Sequence, residues 1–366
     1  MERFNLSTLK KVYNYPAEMK RDDGSSRYAF VTFLMRNDNY LPGALLFGYC
    51  LREKRTQADL VCLVTRNISA AARYALGMIY DHIIEVDEIY IPSKRGHERQ
   101  DIPYVFTRFN ALRLGKDGDL NMNYDKIVVA DADILPVRFY EHLFTLDVPA
   151  GVINERKSYF LEYDPTGKYV ISDNVMRCGK WKWHEVYEQI CPHGCAIPGE
   201  ITDRILHDPE NMGINGALLV MAPSYDEYKR LIGDISRPEV RQMIGNQFKW
   251  PEMQYITMAW SGRWTNIDLR FCGLNGYPDV SALCGIHFAG AKPWNIKDRR
   301  TIERFKRLPD HIFWFDTYKR MIEEGFPKLQ RIPKLARLLH LISEHGLYTN
   351  TPPHNPSPRL RFVHTK

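Results

Sequence analysis

No stretch of this 366-residue chain approaches the roughly 18 consecutive apolar side chains that a membrane span requires, so no transmembrane segment is expected. The opening MERFNLSTLKKVYNYPAEMKRDDGSS lacks the apolar core of a secretory signal, which leads to the expectation of a cytoplasmic protein. Cysteine is scarce and odd in number, seven in all, and scattered thiols suit a reducing compartment better than a disulfide framework. Only Cys191 and Cys195, in CPHGC, come close together, with His193 and His184 near them. A structural zinc site is one reading of that cluster. The absence of paired Cys-x-x-Cys halves favours a turn with free thiols. Charge of one sign is lacking as well: 50 Lys+Arg stand against 44 Asp+Glu, a net +6. That mild excess allows a basic cleft for phosphorylated ligands, but a plain solvated surface accounts for it better. No concentrated basic stripe precedes the tail, so nucleic-acid binding is not expected. There is no internal repeat.

What is present is an ordinary globular composition, 44% hydrophobic and 26% charged, long enough for one large domain or one domain with an appendage. Its patterning alternates. YAFVTFLM (28–35) reads as a buried strand and PGALLFGYCLRE (42–53) as a helix, with Pro42 in the first turn and Leu45, Leu46 and Tyr49 forming an apolar stripe. ADLVCLVT (58–65) reads as a strand, SAAARYALGMIY (69–80) as a helix capped by Ser69, and HIIEV (82–86) as a strand. YVFTRFNALRL (104–114) reads as a helix and KIVVAD (126–131) as the next strand. Strands buried on both faces and alternating with helices predict an α/β fold with a mainly parallel sheet. Ligands of such sheets bind at the carboxyl ends of the strands.

Farther along, GINGALLVMAPS (213–224) reads as a strand ending in a turn, and SYDEYKRLIGDI (224–235) and MQYITMAW (253–260) read as helices. SALCGIHFAGAKPW (281–294) is expected to close the core, and 301–345 to form two amphipathic helices. The expected organisation is an irregular arm at 1–27 and a main domain at 28–300, the latter carrying an inserted segment at 156–210. A helical extension (301–349) and a Pro-rich, basic, disordered tail (350–366) follow.

In KIVVADADILPV, Asp131 and Asp133 follow an apolar run directly. An Asp-x-Asp is by itself a weak signal, since most are turns or caps. Its position carries the weight. Two ionised carboxylates repel, and keeping them together where a buried strand ends makes sense if a divalent cation neutralises them. Oxygen ligands suit magnesium or manganese, and an added imidazole favours manganese. His287, in GIHFAGAKPW, is the best candidate for a third ligand. A lone histidine beside apolar residues is more often a satisfied core group. Here Gly290 and Lys292 follow it closely, and they suit a phosphate: glycine admits the backbone and lysine brings charge.

Four stretches in order, FVTFLMRNDNYLPGALLFG, VVADADILPV, INGALLVMAPS and HFAGAKPW, resemble the retaining glycosyltransferases of family 8. That family includes the glycogenins and bacterial lipopolysaccharide galactosyltransferases. The likeness covers about residues 28–296 and looks close to a glycogenin-like branch found in large DNA viruses, fungi and plants. A viral member would act in the host cytoplasm. The resemblance implies a GT-A, Rossmann-like mixed sheet flanked by helices, a UDP-sugar donor, a glycan or protein acceptor, and a manganese ion on the diphosphate, with magnesium as the alternative. It is compatible with a homodimer.

Carried onto this chain, the resemblance makes Asp131, Asp133 and His287 the metal ligands and Gly290 and Lys292 the diphosphate contacts. Thr32, Phe33 and Tyr40 fall where the family holds uracil and ribose, with Tyr40 stacking on the base, and Ala130 and Ala132 flank Asp131 in the nucleotide site. Arg108 matches a basic residue near the donor, Asn154 or Glu155 replaces a sugar-binding aspartate, and Asn215 and Gly216 match an Asn-small-Gly turn. The chemistry implied is a front-face displacement. A metal and Lys292 stabilise the leaving diphosphate, and that phosphate takes the acceptor's proton.

The chain departs from the family in three respects. Where the family has Asp-Gln over the anomeric carbon, WPEMQYI supplies Glu252, Met253 and Gln254, so either Glu252 or Gln254 faces the sugar. The run from His287 to Lys292 is one residue shorter than in glycogenin. No tyrosine matches the self-glucosylated one, so self-glucosylation is not expected. Two other readings compete. A non-catalytic nucleotide-sugar-binding module is one. A haloacid-dehalogenase-like phosphatase is the other, and it would need the Asp pair after the first core strand.

Overall fold

The computed structural model describes residues 13–93, 101–155, 190–274 and 280–349. The start of the expected arm (1–12), most of the inserted segment (156–189, with His184) and the basic tail (350–366) lie outside them.

The first half is built as the alternation predicts. Strand β1 is Tyr28–Leu34, helix α1 Leu41–Glu53, β2 Asp59–Val64, α2 Ala70–Leu76, β3 His82–Glu85 and β4 Lys126–Ala130. Pro42 sits in the first turn of α1, and the Ser69 hydroxyl accepts from the Ala72 N–H at 3.1 Å to cap α2. Two short strands follow, β5 (Ile134–Pro136) and β6 (Ala150–Ile153), then the long β7 (Ile214–Met221). Helices α3 (Tyr225–Ser236), α4 (Pro238–Asn246) and α5 (Pro251–Ala259) come next, then β8 (Thr265–Asn266), β9 (Gly273–Leu274) and β10 (Gly285–His287).

Seven strands form the main sheet in the order β3-β2-β1-β4-β7-β6-β8. The pairs β3-β2, β2-β1, β1-β4 and β6-β8 are parallel, while β7 runs antiparallel to both β4 and β6. The sheet is therefore mixed and mainly parallel. Its central residues, among them the consecutive pairs Phe30, Val31 and Val128, Val129, are wholly buried, so both faces of the sheet are covered.

Four features refine or differ from the sequence reading. Residues Ile102–Leu114 are wound as 3-10 turns rather than an α-helix. The Asn110 amide donates to the Thr107 carbonyl at 2.8 Å, drawing it from the helical ladder. Helix α4 was not foreseen. The segment around His287 closes the core as expected, with Leu283, Ile286 and Phe288 buried, and it does so through a separate sheet, β5-β10-β9. The C-terminal extension holds three helices, not two: α6 (Arg299–Phe305), α7 (Pro309–Arg320) and α8 (Pro333–Glu344). Helix α7 is hard to read because Asp310, His311 and Thr317 are buried beside Trp314, Phe315 and Tyr318, which erases the amphipathic period.

Candidate functional site

Strand β4 ends at Ala130, and the chain turns out of the main sheet over the next three residues. Asp131 is pinned at this exit: its N–H donates to the Ala217 carbonyl on β7 at 2.8 Å, and its own carbonyl accepts from Ile134 at 3.0 Å. Strand β10 pairs antiparallel with β5, with His287 opposite Ile134. The Phe288 N–H donates to the Asp133 carbonyl at 3.0 Å. This register brings His287 Nε2 to 3.5 Å from Asp133 Oδ1. Ligand atoms of Asp131, Asp133 and His287 all lie within 4.8 Å of one another, the one such cluster among the described residues. Asp133 and His287 are buried, while the Asp131 side chain is 33% exposed, so the cluster opens on one side. Two carboxylates and one imidazole, so placed, fit a divalent cation.

Helix α1 approaches this turn closely. A β-carbon on Gly43 would fall 2.1 Å from the Ala132 carbonyl oxygen and 2.6 Å from the Trp294 ring. Only glycine permits that approach.

Lys292 comes to the cluster from the turn after β10. Its ammonium donates to Asp133 Oδ2 and to the Phe288 carbonyl at 2.6 Å. It also lies 5.8 Å from the Tyr40 ring centroid, and Tyr40 meets Trp294 edge-on at 5.4 Å. Gly290, in the same turn, is exposed.

Arg108 links Asp131 to α5. Its Nη2 donates to Asp131 Oδ1 at 2.8 Å, Nη1 donates to the Gly216 carbonyl, and Nε lies 3.0 Å from Glu252 Oε1. The last contact is an ion pair without hydrogen-bond alignment, so buried Glu252 Oε1 has no hydrogen-bond partner. Burial opposes the Arg108 charge, but Asp131 and Glu252 outweigh it and hold the guanidinium more firmly protonated than usual. Burial pushes the Glu252 carboxyl up to about 7; Arg108 pulls it down and Asp131 pushes it up further. A β-carbon on Gly216 would meet Glu252 Oε2 at 2.7 Å, so glycine makes room for this pair.

Other candidate residues are occupied in ways the sequence does not reveal. The Thr32 hydroxyl is wholly buried and donates to the Ala130 carbonyl at 2.8 Å, tying β1 to β4. Phe33, Ala130 and Ala132 are buried around it. Glu155 is held by Arg204 at 2.8 Å and by the Asn211 amide at 3.2 Å. Asn154 Nδ2 donates to the Met212 sulfur at 3.6 Å. Asn215 Oδ1 accepts from the Ala217 N–H at 3.0 Å, bracing the turn that presents Gly216. The Gln254 amide is spent on backbone, accepting from Trp250 N–H at 2.7 Å and donating to the Pro209 carbonyl at 3.0 Å. In the CPHGC turn, His193 Nε2 meets His142 Nε2 at 2.7 Å.

No family model matches the chain. Among curated proteins it is 27% identical to an uncharacterized protein of Acanthamoeba polyphaga mimivirus, over 83% of this chain and 97% of that one. It is 24% identical to galactinol synthase 6 of Arabidopsis thaliana over 80% of each. It is 33% identical to glycogenin of Neurospora crassa over 39% of this chain, which is 20% of that protein. Its homologues thus include proteins named glycogenin and galactinol synthase, which are glycosyltransferase family 8 members. A solved structure that this chain resembles is galactosyltransferase LgtC with donor and acceptor sugar analogs (14% identity, 76% of this chain and 96% of that one, TM-score 0.47). The mixed, mainly parallel sheet is the α/β, GT-A arrangement that the sequence implies. The phosphatase reading is overturned, because the aspartate pair follows the fourth strand and not the first. Among the described residues, no helix is long and apolar enough to cross a membrane.

Proposed function

We propose that this protein is a metal-dependent retaining hexosyltransferase that moves a sugar from a UDP-sugar to a glycan or protein acceptor in the cytoplasm. The observation that carries the reading is the convergence of Asp131, Asp133 and His287 with Lys292 where β4 leaves the sheet. Its relatives named glycogenin and galactinol synthase support it.

Asp131, Asp133 and His287 would hold manganese, or magnesium, which when bound supplies Lewis-acid stabilisation of the departing diphosphate. Lys292 adds a fixed positive charge at the same place. The bare backbone at Gly290 admits the phosphates, and Tyr40 offers its ring to the uracil. Asn154 suits the sugar hydroxyls better than Glu155, whose carboxylate is held by Arg204 and Asn211. Glu252, steered by Arg108, supports the oxocarbenium face. The leaving phosphate accepts the acceptor's proton, so no strong base is required.

A second reading, nucleotide-sugar binding without turnover, draws on Met253 and on the Gln254 amide being fully engaged by backbone. A panel of UDP-sugars with manganese separates the two. Slow hydrolysis of one donor, abolished by chelator, supports transfer. Tight UDP binding with no donor turned over supports the binding module.

A further inference from the structure

The turn that carries Lys292 is gripped from behind by the C-terminal extension. His311, in the first turn of α7, is buried. Its Nε2 lies 3.2 Å from the Ala291 carbonyl oxygen, and its Nδ1 lies 3.2 Å from Asp310 Oδ1. The ring stacks on Phe305 at 4.5 Å and receives Phe288 edge-on at 5.1 Å. One helical turn later, Trp314 packs on Trp294 at 5.7 Å. A single helix thus holds the turn at Phe288, Ala291 and Trp294, and Phe288 also supplies the carbonyl that Lys292 grasps.

We propose that His311 is a positioning residue for the donor diphosphate, acting through the Ala291 carbonyl to set the backbone from which Lys292 reaches. This inference rests on reading Lys292 as the diphosphate contact. A histidine needed only for packing would not require a nitrogen directed across to a neighbouring turn. Ala291 lies between Gly290, which adds no side-chain restraint, and Lys292. Without the bond to His311, the peptide joining Ala291 to Lys292 would lose its one fixed partner on the α7 side. The peptide is planar and trans, so holding its carbonyl on His311 directs the Lys292 N–H away from α7. The direction of the lysine stem is set with it.

The extension also reaches the opposite wall. Lys334, in the first turn of α8, donates to the Asp38 carbonyl at 2.8 Å and to Asn39 Oδ1 at 3.1 Å, in the turn that presents Tyr40.

The test is calorimetric binding of UDP and of UMP to the full chain with manganese, alongside thermal unfolding. His311→Phe keeps a ring between Phe305 and Phe288 but cannot donate a hydrogen bond. It should weaken UDP about tenfold, the scale of one buried hydrogen bond, and leave UMP within about twofold. His311→Gln, which places an N–H near the position of Nε2, should bring UDP back to within about threefold of wild type. An unchanged UDP affinity in folded His311→Phe, or equal losses for UDP and UMP, overturns the proposal. Should His311→Phe fail to fold, His311→Gln against the shorter His311→Asn decides, and equal UDP affinities overturn it. Lys292→Ala keeps the two ideas apart. If it leaves UDP affinity intact, the diphosphate reading itself falls. If it weakens UDP while His311→Phe does not, only the positioning role falls.

Discussion

Lys292 donates a hydrogen bond to the buried carboxylate of Asp133, one of three residues whose ligand atoms lie within 4.8 Å of one another. The ammonium therefore balances a charge that a divalent ion would balance when bound. A nucleotide diphosphate entering with the ion would offer the lysine a second anion at the same place. Lys292→Ala should weaken UDP binding by about 10- to 150-fold, the worth of one charge-assisted hydrogen bond, and lower turnover. Calorimetry with UDP and manganese reads this. An unchanged affinity would mean that the side chain serves Asp133 alone.

Chelation should abolish turnover, and manganese should restore it best, because the donor set mixes carboxylates with an imidazole. Asp133→Asn removes the ligand shared by His287 and Lys292 and should cost nearly all metal-dependent activity. Full activity of that variant in metal-stripped buffer would refute the ligand assignment.

Glu252 and Gln254 lie close on α5 but are placed for different work. Glu252 is buried against Arg108, whereas both ends of the Gln254 amide are bonded to backbone. Glu252→Gln should reduce turnover about 10²-fold or more with metal and UDP binding preserved. Gln254→Ala should instead cost about 1–3 kcal/mol of stability, from backbone groups left unsatisfied. Steady-state rates and denaturant midpoints distinguish the two, and a wild-type rate in Glu252→Gln would move the sugar-facing role elsewhere.

The environment of Glu252 also predicts a pH signature. Its folded pKa of about 7 lies above the ordinary 4.5, so the folded state favours the neutral acid. The contribution to stability is complete below about pH 4.5 and is lost as pH rises through about 7. Glu252→Gln cannot ionise and should lack this decline. Its stability relative to wild type, measured by denaturant titration in chelator, should rise between pH 5 and 8 by a few kcal/mol at most. A difference that stays flat with pH would place the group near its ordinary range.

Gly43→Ala should disturb the site from outside it. The added methyl meets the Ala132 backbone oxygen at 2.1 Å, and a backbone atom cannot swing aside. A loss of about 1–3 kcal/mol is expected, with weaker metal binding because Asp131 and Asp133 flank Ala132. Retention of both stability and manganese affinity would show that α1 can shift without moving the aspartates.

What the sequence made legible follows from local physics. Ser69 caps α2, Pro42 starts α1, and the apolar runs at 28–34, 59–64 and 126–130 are the inner strands of the sheet. The placement of Asp131 and Asp133 followed from the last of those runs. What stayed hidden depends on partners distant in the chain. Nothing in FTRFNAL or WPEMQYI announces that Arg108 and Glu252 meet through the space left by Gly216. The Thr32 hydroxyl looked free for a ligand because its bond to Ala130 exists only once β1 and β4 pair. Helix α7 escaped notice because its buried polar residues break the amphipathic period, and the partner of His311, the Ala291 carbonyl, is distant in the chain.

The pairing of β5 with β10 has a consequence for how activity arises. Asp133 emerges early in synthesis, but His287 joins it only when β10 docks, and His311 and Lys334 steady the surrounding turns from later still. A chain made only as far as β9 carries both aspartates but not the histidine that completes the cluster. On the proposed transferase reading, donor cleavage should therefore await the last helices, which close over the turn.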